Sequence, residues 1–365
     1  MSHHEDRFSG CARSDSSAVA QRGRSRAWRA EANLAHDLRG PLGWQSENGR
    51  SRIAGNRYSF LCGNDIWIIM AIDYLQVGQR LRAHRMGLGL TPEQLAEQLD
   101  ISRAALYNYE KGEGPVKLEI LERIADFLKT SLPSLLGVGT EYFSSATAYF
   151  ERLRQIEASS ERVLVYYEPV TFLLTSDEYP QILRNMLLEG LPEKLPNRRR
   201  AQAEIESLIG ILSERRATIS KGGPSFAGIV GATQVRRLLR TGLIGTYDLP
   251  KAERDKRRLA ARREVERIAN IMENEPVGIQ IGIVDDTLPN QTFEICRSRD
   301  GTVLVAVSPF RLGELPNVRL GVATVTAAPE AVDLYQRLAG QMWERAAKGV
   351  SGAALLRKCL KEPQI

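Results

Sequence analysis

The chain has 365 residues and a formal net charge of +6, long enough for two domains, one with a core above roughly 150 residues. Its 43% hydrophobic and 26% charged content is ordinary for a soluble globular protein. The longest apolar run, residues 66–72, falls short of the roughly 20 residues that cross a bilayer and lies too far in for a signal peptide. Cys11, Cys62, Cys296 and Cys359 are scattered without a CxxC pair, which excludes a disulfide framework and a zinc site and fits reduced thiols in a cytoplasm. No cofactor, metal or membrane partner is expected.

Taken in chain order, residues 1–69 come first as a leader, rich in Ser, Arg, Gly and Asn over its first 65 residues and without apolar periodicity, and are expected to be disordered. Met70 is the first Met after Met1 and directly precedes a helical pattern, which places the native start near Met70. The competing reading is an Arg-rich arm, built on Arg22, Arg24, Arg26 and Arg29, that contacts phosphate.

Residues 70–137 are compact and helical. Thr91-Pro92-Glu93-Gln94 carries a capping box: Thr91 caps a helix, Pro92 suits its first turn, and Gln94 stands at the third position. Leu95 and Leu99 share one face beside the small Ala96, and Ser102 caps a second helix that buries Leu106 and Tyr109. Only Leu99-Asp100-Ile101 separates the two, which predicts a helix-turn-helix unit.

These residues, with Glu110 and Gly112, resemble the helix-turn-helix of phage repressors and Cro, the XRE family of bacterial regulators. The flanks agree: residues 77–82 resemble the first helix, Leu118, Leu121, Ile124, Ala125 and Leu128 the fourth, and Leu132, Leu135 and Leu136 a fifth. The family usually has Gly where this chain has Asp100, a residue that tolerates left-handed geometry. The resemblance implies an all-α, five-helix, lambda-repressor-like domain that binds double-stranded DNA. It leaves Arg103, Ala104, Tyr107 and Asn108 facing outward to read the major groove, with Thr91, Gln94, Ser102 and Lys111 suited to phosphate. The motif has to carry this reading, because residues 71–139 hold eight Lys or Arg against nine Asp or Glu. A non-catalytic interaction adaptor or antitoxin-like protein on the same helical fold is the alternative function.

Residues 138–160 are expected to form a hinge, at 137–140, and a linker helix over 142–158. Its stripe Ala146, Tyr149, Phe150, Leu153 and Ile156 would pack on its own domain or form a homodimer seam. From 161 to 365 the pattern turns α+β. Strands are predicted at 162–168, 170–174, 277–284, 292–297, 302–307 and 318–326, and helices at 176–189, 197–216, 231–240, 250–273, 329–348 and 351–361.

All four histidines precede residue 85, so a Ser-His-Asp triad or a His-liganded metal is excluded from this part, and no enzyme is expected. Ser308 lacks a base, Asp285-Asp286 suits a turn, the glycines of 226–232 lack a phosphate-loop Lys, and Cys296 suits packing. The order of elements over 179–360 resembles in outline the sensor domain of actinomycete helix-turn-helix regulators. That implies a sensing or oligomerising module for a small-molecule or protein effector of unknown identity.

Overall fold

The computed structural model describes residues 72–362, so the expectations for the leader fall outside the described residues. The predicted helical bundle is present as α1 (Tyr74–Gly87), α2 (Pro92–Gln98), α3 (Arg103–Lys111), α4 (Leu118–Leu128) and α5 (Leu132–Leu136). Local chemistry sets the starts: Asp73, Thr91, Ser102 and Ser131 each accept a backbone N–H of the following first turn. Leu81, Leu95, Leu106, Ile124 and Leu135 are fully enclosed and form its core.

A mixed α+β region follows. It holds β1 (Thr140–Phe143), α6 (Ala146–Ser159), β2 (Ser160–Tyr166), α7 (Tyr179–Glu189), α8 (Arg198–Ser220), β3 (Ser225–Gly231), α9 (Ala232–Thr241) and α10 (Lys251–Asn274). Then come β4 (Ile279–Val284), β5 (Thr292–Ser298), β6 (Val303–Ser308), β7 (Ala323–Thr326), α11 (Pro329–Arg345), β8 (Ala347–Lys348) and α12 (Gly349–Lys361). Among the described residues one sheet of order β1-β7-β6-β5-β2-β3-β4-β8 collects every strand. Pairing is parallel for β2–β3 and β3–β4 and antiparallel elsewhere. The largest core packs α6, α7, α8 and α10 on one face, and a smaller one packs α11 on the other. No helix among the described residues is long and apolar enough to cross a membrane.

Several expectations need correction. The helix expected from Tyr142 begins at Ala146, because Thr140–Phe143 pairs with β7 and Ser145 caps the helix through Ala148 N at 3.4 Å. The glycines read as a hinge, Gly137 (φ +73°) and Gly139 (φ +89°), therefore turn the chain directly into the sheet. Residues 170–174 hold a 3₁₀ turn, Phe172–Leu174, where a strand was expected. β2 already has β5 and β3 on its two edges, so this segment has no strand to pair with and closes its own bonds, Leu174 N to Thr171 O at 3.2 Å among them.

β3 was missed because a parallel strand buried on both faces shows no alternation, and its glycines resembled a loop. A Cβ on Gly228 would sit 2.8 Å from the Phe226 and Tyr167 rings, which accounts for a glycine there. The strand expected over 318–326 shortens to Ala323–Thr326, since Gly321 (φ +138°) folds against Pro309 and Asn317 bridges back to Arg311. The helix expected over 329–348 ends at Arg345, because Ala347–Lys348 joins β4. Of the two fates expected for the stripe, packing on its own domain is the one observed: Ala146, Tyr149, Phe150, Leu153 and Ile156 lie inside the chain's own core and form no homodimer seam.

The bundle and the sheet belong to one unit, Ile72–Ile365, and α6 joins them. Glu141 of β1 accepts from Arg80 Nε of α1 at 2.7 Å and from Arg152 of α6 at 2.9 and 3.1 Å. Arg152 is wholly buried and also donates to Gln76 on α1 at 3.2 Å, while Gln155 Nε2 donates to Gln79 O at 3.1 Å. The two guanidinium groups hold the Glu141 carboxyl below its usual range against the effect of burial. His84 of α1 stacks on Phe143 of β1, rings 5.0 Å apart, with Nε2 3.4 Å from Thr130 Oγ1.

Glu141→Ala strands two buried arginines and should cost about 3–5 kcal/mol of stability, read from urea unfolding. A loss under about 1 kcal/mol would mean that the cluster is solvated.

Burial pushes the His84 imidazole down to about 4, with Glu141 opposing and Arg152 reinforcing the shift. The unfolded imidazole titrates near about 6.5, so acid favours the unfolded chain. The contribution is intact above that pH, is lost as pH falls through the window down to about 4, and amounts to about 3 kcal/mol. His84→Phe keeps the stack and should lose correspondingly less stability between pH 7.5 and 4.5 than the parent. Equal losses would contradict the assignment.

Candidate nucleic-acid interface

α3 is seated by α1. A Cβ on Gly78 would overlap the carbonyl oxygen of Tyr109 and lie 2.7 Å from that of Glu110, so only glycine lets the helices approach this closely. Arg85 of α1 grips Glu110 with two bonds of 2.5 and 2.9 Å and donates to Leu90 O at 2.6 Å, which fixes the C-terminal end of α3. Gly112 (φ +72°) then ends α3 against the backbone of Leu75. In the turn, Asp100 adopts φ +50°, the left-handed conformation expected of the residue standing for glycine.

This frame leaves Thr91, Gln94, Ser102, Arg103, Ala104, Tyr107, Asn108 and Lys111 exposed. Thr91 and Gln94 complete the capping box with bonds of 3.3 and 2.9 Å, and Ser102 Oγ accepts from Ala105 N at 3.1 Å. Their side chains are thus already engaged, and the N-terminal ends of α2 and α3 are held ready-formed. Two contacts escaped sequence reasoning. Arg103 Nε lies 2.7 Å from Glu93 Oε1 with both side chains largely exposed, and Lys111 sits 4.4 Å above the Tyr107 ring. The second was legible as an i,i+4 pair on a helix; the first depends on the angle between two helices.

Residues noticed outside the bundle have structural work. Ser308 Oγ accepts from Phe310 N at 3.0 Å, Asp285 pairs with Arg236 at 2.8 and 3.1 Å, and buried Cys296 donates to Glu294 at 3.3 Å. Among the described residues no group of three or more His, Cys, Asp or Glu side chains is placed to hold a metal.

Comparison with known proteins bears on this same segment. Residues 76–136 match the family described as Helix-turn-helix domain. The chain is 39% identical over 63 residues to the HTH-type transcriptional activator BcrR of Enterococcus faecalis, covering 17% of this chain and 31% of that protein. It is 26% identical over 91 residues to the cryptic phage CTXphi transcriptional repressor RstR of Vibrio cholerae, covering 25% and 81%. A candidate HTH-type transcriptional regulatory protein of Pyrococcus abyssi is 29% identical over 169 residues, covering 42% and 51%. The chain therefore spans about a third of the bacterial activator and half of the archaeal protein. Among solved structures, TrmBL2, an archaeal chromatin protein whose structure shows a novel mode of DNA binding, gives a TM-score of 0.28 at 11% identity over 74% of this chain and 92% of that one. A likeness of that size carries no weight. Residues 76–136 are a helix-turn-helix domain of the transcriptional-regulator type, related at low identity to several such regulators, a phage repressor included.

Gly78→Ala should destabilise the protein by about 1–3 kcal/mol, although alanine is the better helix former. Urea midpoints of the full chain measure it, and a gain in stability would show that α1 and α3 are not in backbone contact.

Proposed function

We propose that this chain is a sequence-specific transcriptional regulator of the phage-repressor (XRE) type, reading the major groove of duplex DNA with α3. One observation carries the reading. The face of α3 opposite buried Leu106 exposes Arg103, Ala104, Tyr107 and Asn108, a set able to bond guanine and adenine edges and to touch a thymine methyl. Arg103 and Ala104 open the helix and reach base edges first. Thr91, Gln94, Ser102 and Lys111 flank them and bind phosphate through helix N-termini, hydroxyls and one ammonium. Exchange of the exposed Arg103–Glu93 pair for a guanine edge costs little, since such surface pairs contribute about 0–1 kcal/mol. The relatives described above, transcriptional regulators by name, support the same reading. The chain acts without catalysis, and its α+β region controls the reader in response to an effector.

With a near-neutral reader, specificity depends on two copies. A homodimer assembled through the α+β region presents paired reading helices to a near-palindrome with half-sites about 10–10.5 base pairs apart.

Selection of bound sequences from a random duplex pool, followed by Arg103→Ala on the selected site, tests the proposal. The substitution should cost about 1–3 kcal/mol on the preferred site and relax choice at one base pair. Equal losses on selected and random duplex would reduce Arg103 to a phosphate contact. No duplex binding even at low salt would return the chain to the interaction-adaptor class.

A further inference from the structure

The start of α8, in the α+β region, reaches the turn that opens α2. Arg200 Nη2 donates to Leu88 O at 3.0 Å and its Nε to Glu204 at 3.0 Å, which holds the first turn of α8 against the α1–α2 turn. Leu88 precedes Thr91, the cap of α2, by three residues, at most about 11 Å of chain. Glu93, in the first turn of α2, lies 2.7 Å from Arg103 at the start of α3. A line of contacts therefore runs from Arg200 past the N-terminal end of α2 to that of α3.

The charge of this segment is one-sided. Residues 192–200 hold Lys194, Arg198, Arg199 and Arg200 against a single carboxylate, Glu193, and all five side chains belong to exposed residues. Arg198 donates to Pro192 O at 3.0 Å, which folds the preceding loop back onto the helix start. Among the described residues neither Arg198 nor Arg199 has a carboxylate within ion-pair distance. Helix stability does not account for them: α8 has no acidic residue in its first turn, and cations placed there oppose the helix dipole. Packing does not account for them either, since both are exposed.

We propose that Arg198 and Arg199 grip the phosphate backbone of the same duplex whose major groove receives α3. This rests on the DNA-binding function proposed above and adds to it a contact from outside the helix-turn-helix domain. Each strand carries a phosphate per about 3.4 Å of helix axis, so a strand lying on Thr91 and Gln94 passes the Leu88 turn within about three nucleotides. A guanidinium offers paired N–H donors to phosphate oxygens. The contact also answers the shortage of charge over residues 71–139, since α8 supplies the attraction and α3 the reading. Arg200, spent on Leu88 and Glu204, is the positioning residue that fixes the distance between the two.

The test is binding of the full chain to a duplex selected from the random pool, and to random duplex of equal length, over about 50–300 mM salt. Arg198→Gln with Arg199→Gln should weaken both duplexes by the same factor, about tenfold or more near physiological salt, and lower the slope of log affinity against log salt by about 2 for each copy bound. Preference for the selected duplex should stay that of the parent. Arg198→Lys with Arg199→Lys keeps the charge and should keep most of the slope. As a control, Arg337→Gln with Arg345→Gln removes the same charge from α11, on the other face of the sheet, and should leave the slope unchanged. An equal fall in that control, or a loss confined to the selected duplex, would overturn the contact. So would an unchanged slope in the glutamine variant, which would hand the patch to an acidic protein surface and leave α3 as the reader. A parent that binds no duplex even at low salt would remove both readings together.

Discussion

One buried carboxylate, Glu141, holds two arginines from two different helices. Arg80 comes from the helical bundle and Arg152 from α6, and neither has water to fall back on. A carboxylate between two guanidinium groups has many acceptor directions to offer; Gln76 and Gln79 on α1 accept from Arg152, and Gln155 Nε2 donates to Gln79 O. Such a cluster need not add net stability over an apolar one, because both charge types were desolvated to build it. Its consequence is geometric: α1 can take one position relative to α6. Since α3 is seated on α1 through Gly78 and Arg85, the orientation of its exposed face is inherited from the sheet.

Charge is arranged differently on the two sides of the bundle. Arg80 and Arg85 are consumed in internal pairs, so they contribute little field at the surface. Arg103 and Lys111 of α3 stand outside, each beside a glutamate. A domain with so little excess positive charge gains little from long-range attraction to a polyanion. Under the proposed function, discrimination would have to come from hydrogen-bond complementarity and from repetition of the unit.

Much of the bundle was legible because its rules are local. Caps at Thr91 and Ser102, the Leu95/Leu99 spacing and a left-handed Asp100 each rest on a few neighbouring residues. The sheet was legible where β-branched and aromatic runs are bounded by polar turns, as in β5 and β6, and obscure where glycines or brevity remove that signal. β3 is buried on both faces and β8 is two residues long, so neither has a period to detect. β1 was hidden by a different competitor. Tyr142 and Phe143 suit either a helix stripe or a strand, and a partner more than 180 residues away decides between them. The candidate interface was readable as a set of exposed residues, yet the Glu93–Arg103 contact depends on an interhelical angle that no sequence spacing encodes.

That distant partner has a kinetic consequence. β1 joins the sheet at its edge through β7, with Thr140 opposite Thr326. A ribosome finishes the helical bundle, whose contacts are short-range, long before β7 exists. Until then Glu141 and Phe143 lack the sheet that positions them, and α1 leaves the ribosome with its side toward α6 uncovered. Closure of so large a loop is slow compared with helix formation. The nascent chain therefore carries a formed helical bundle with an unanchored base through most of synthesis, a stage at which the uncovered surface is open to premature association. Only the last third of the chain, by completing β5, β6 and β7, converts that tethered bundle into a domain of fixed orientation.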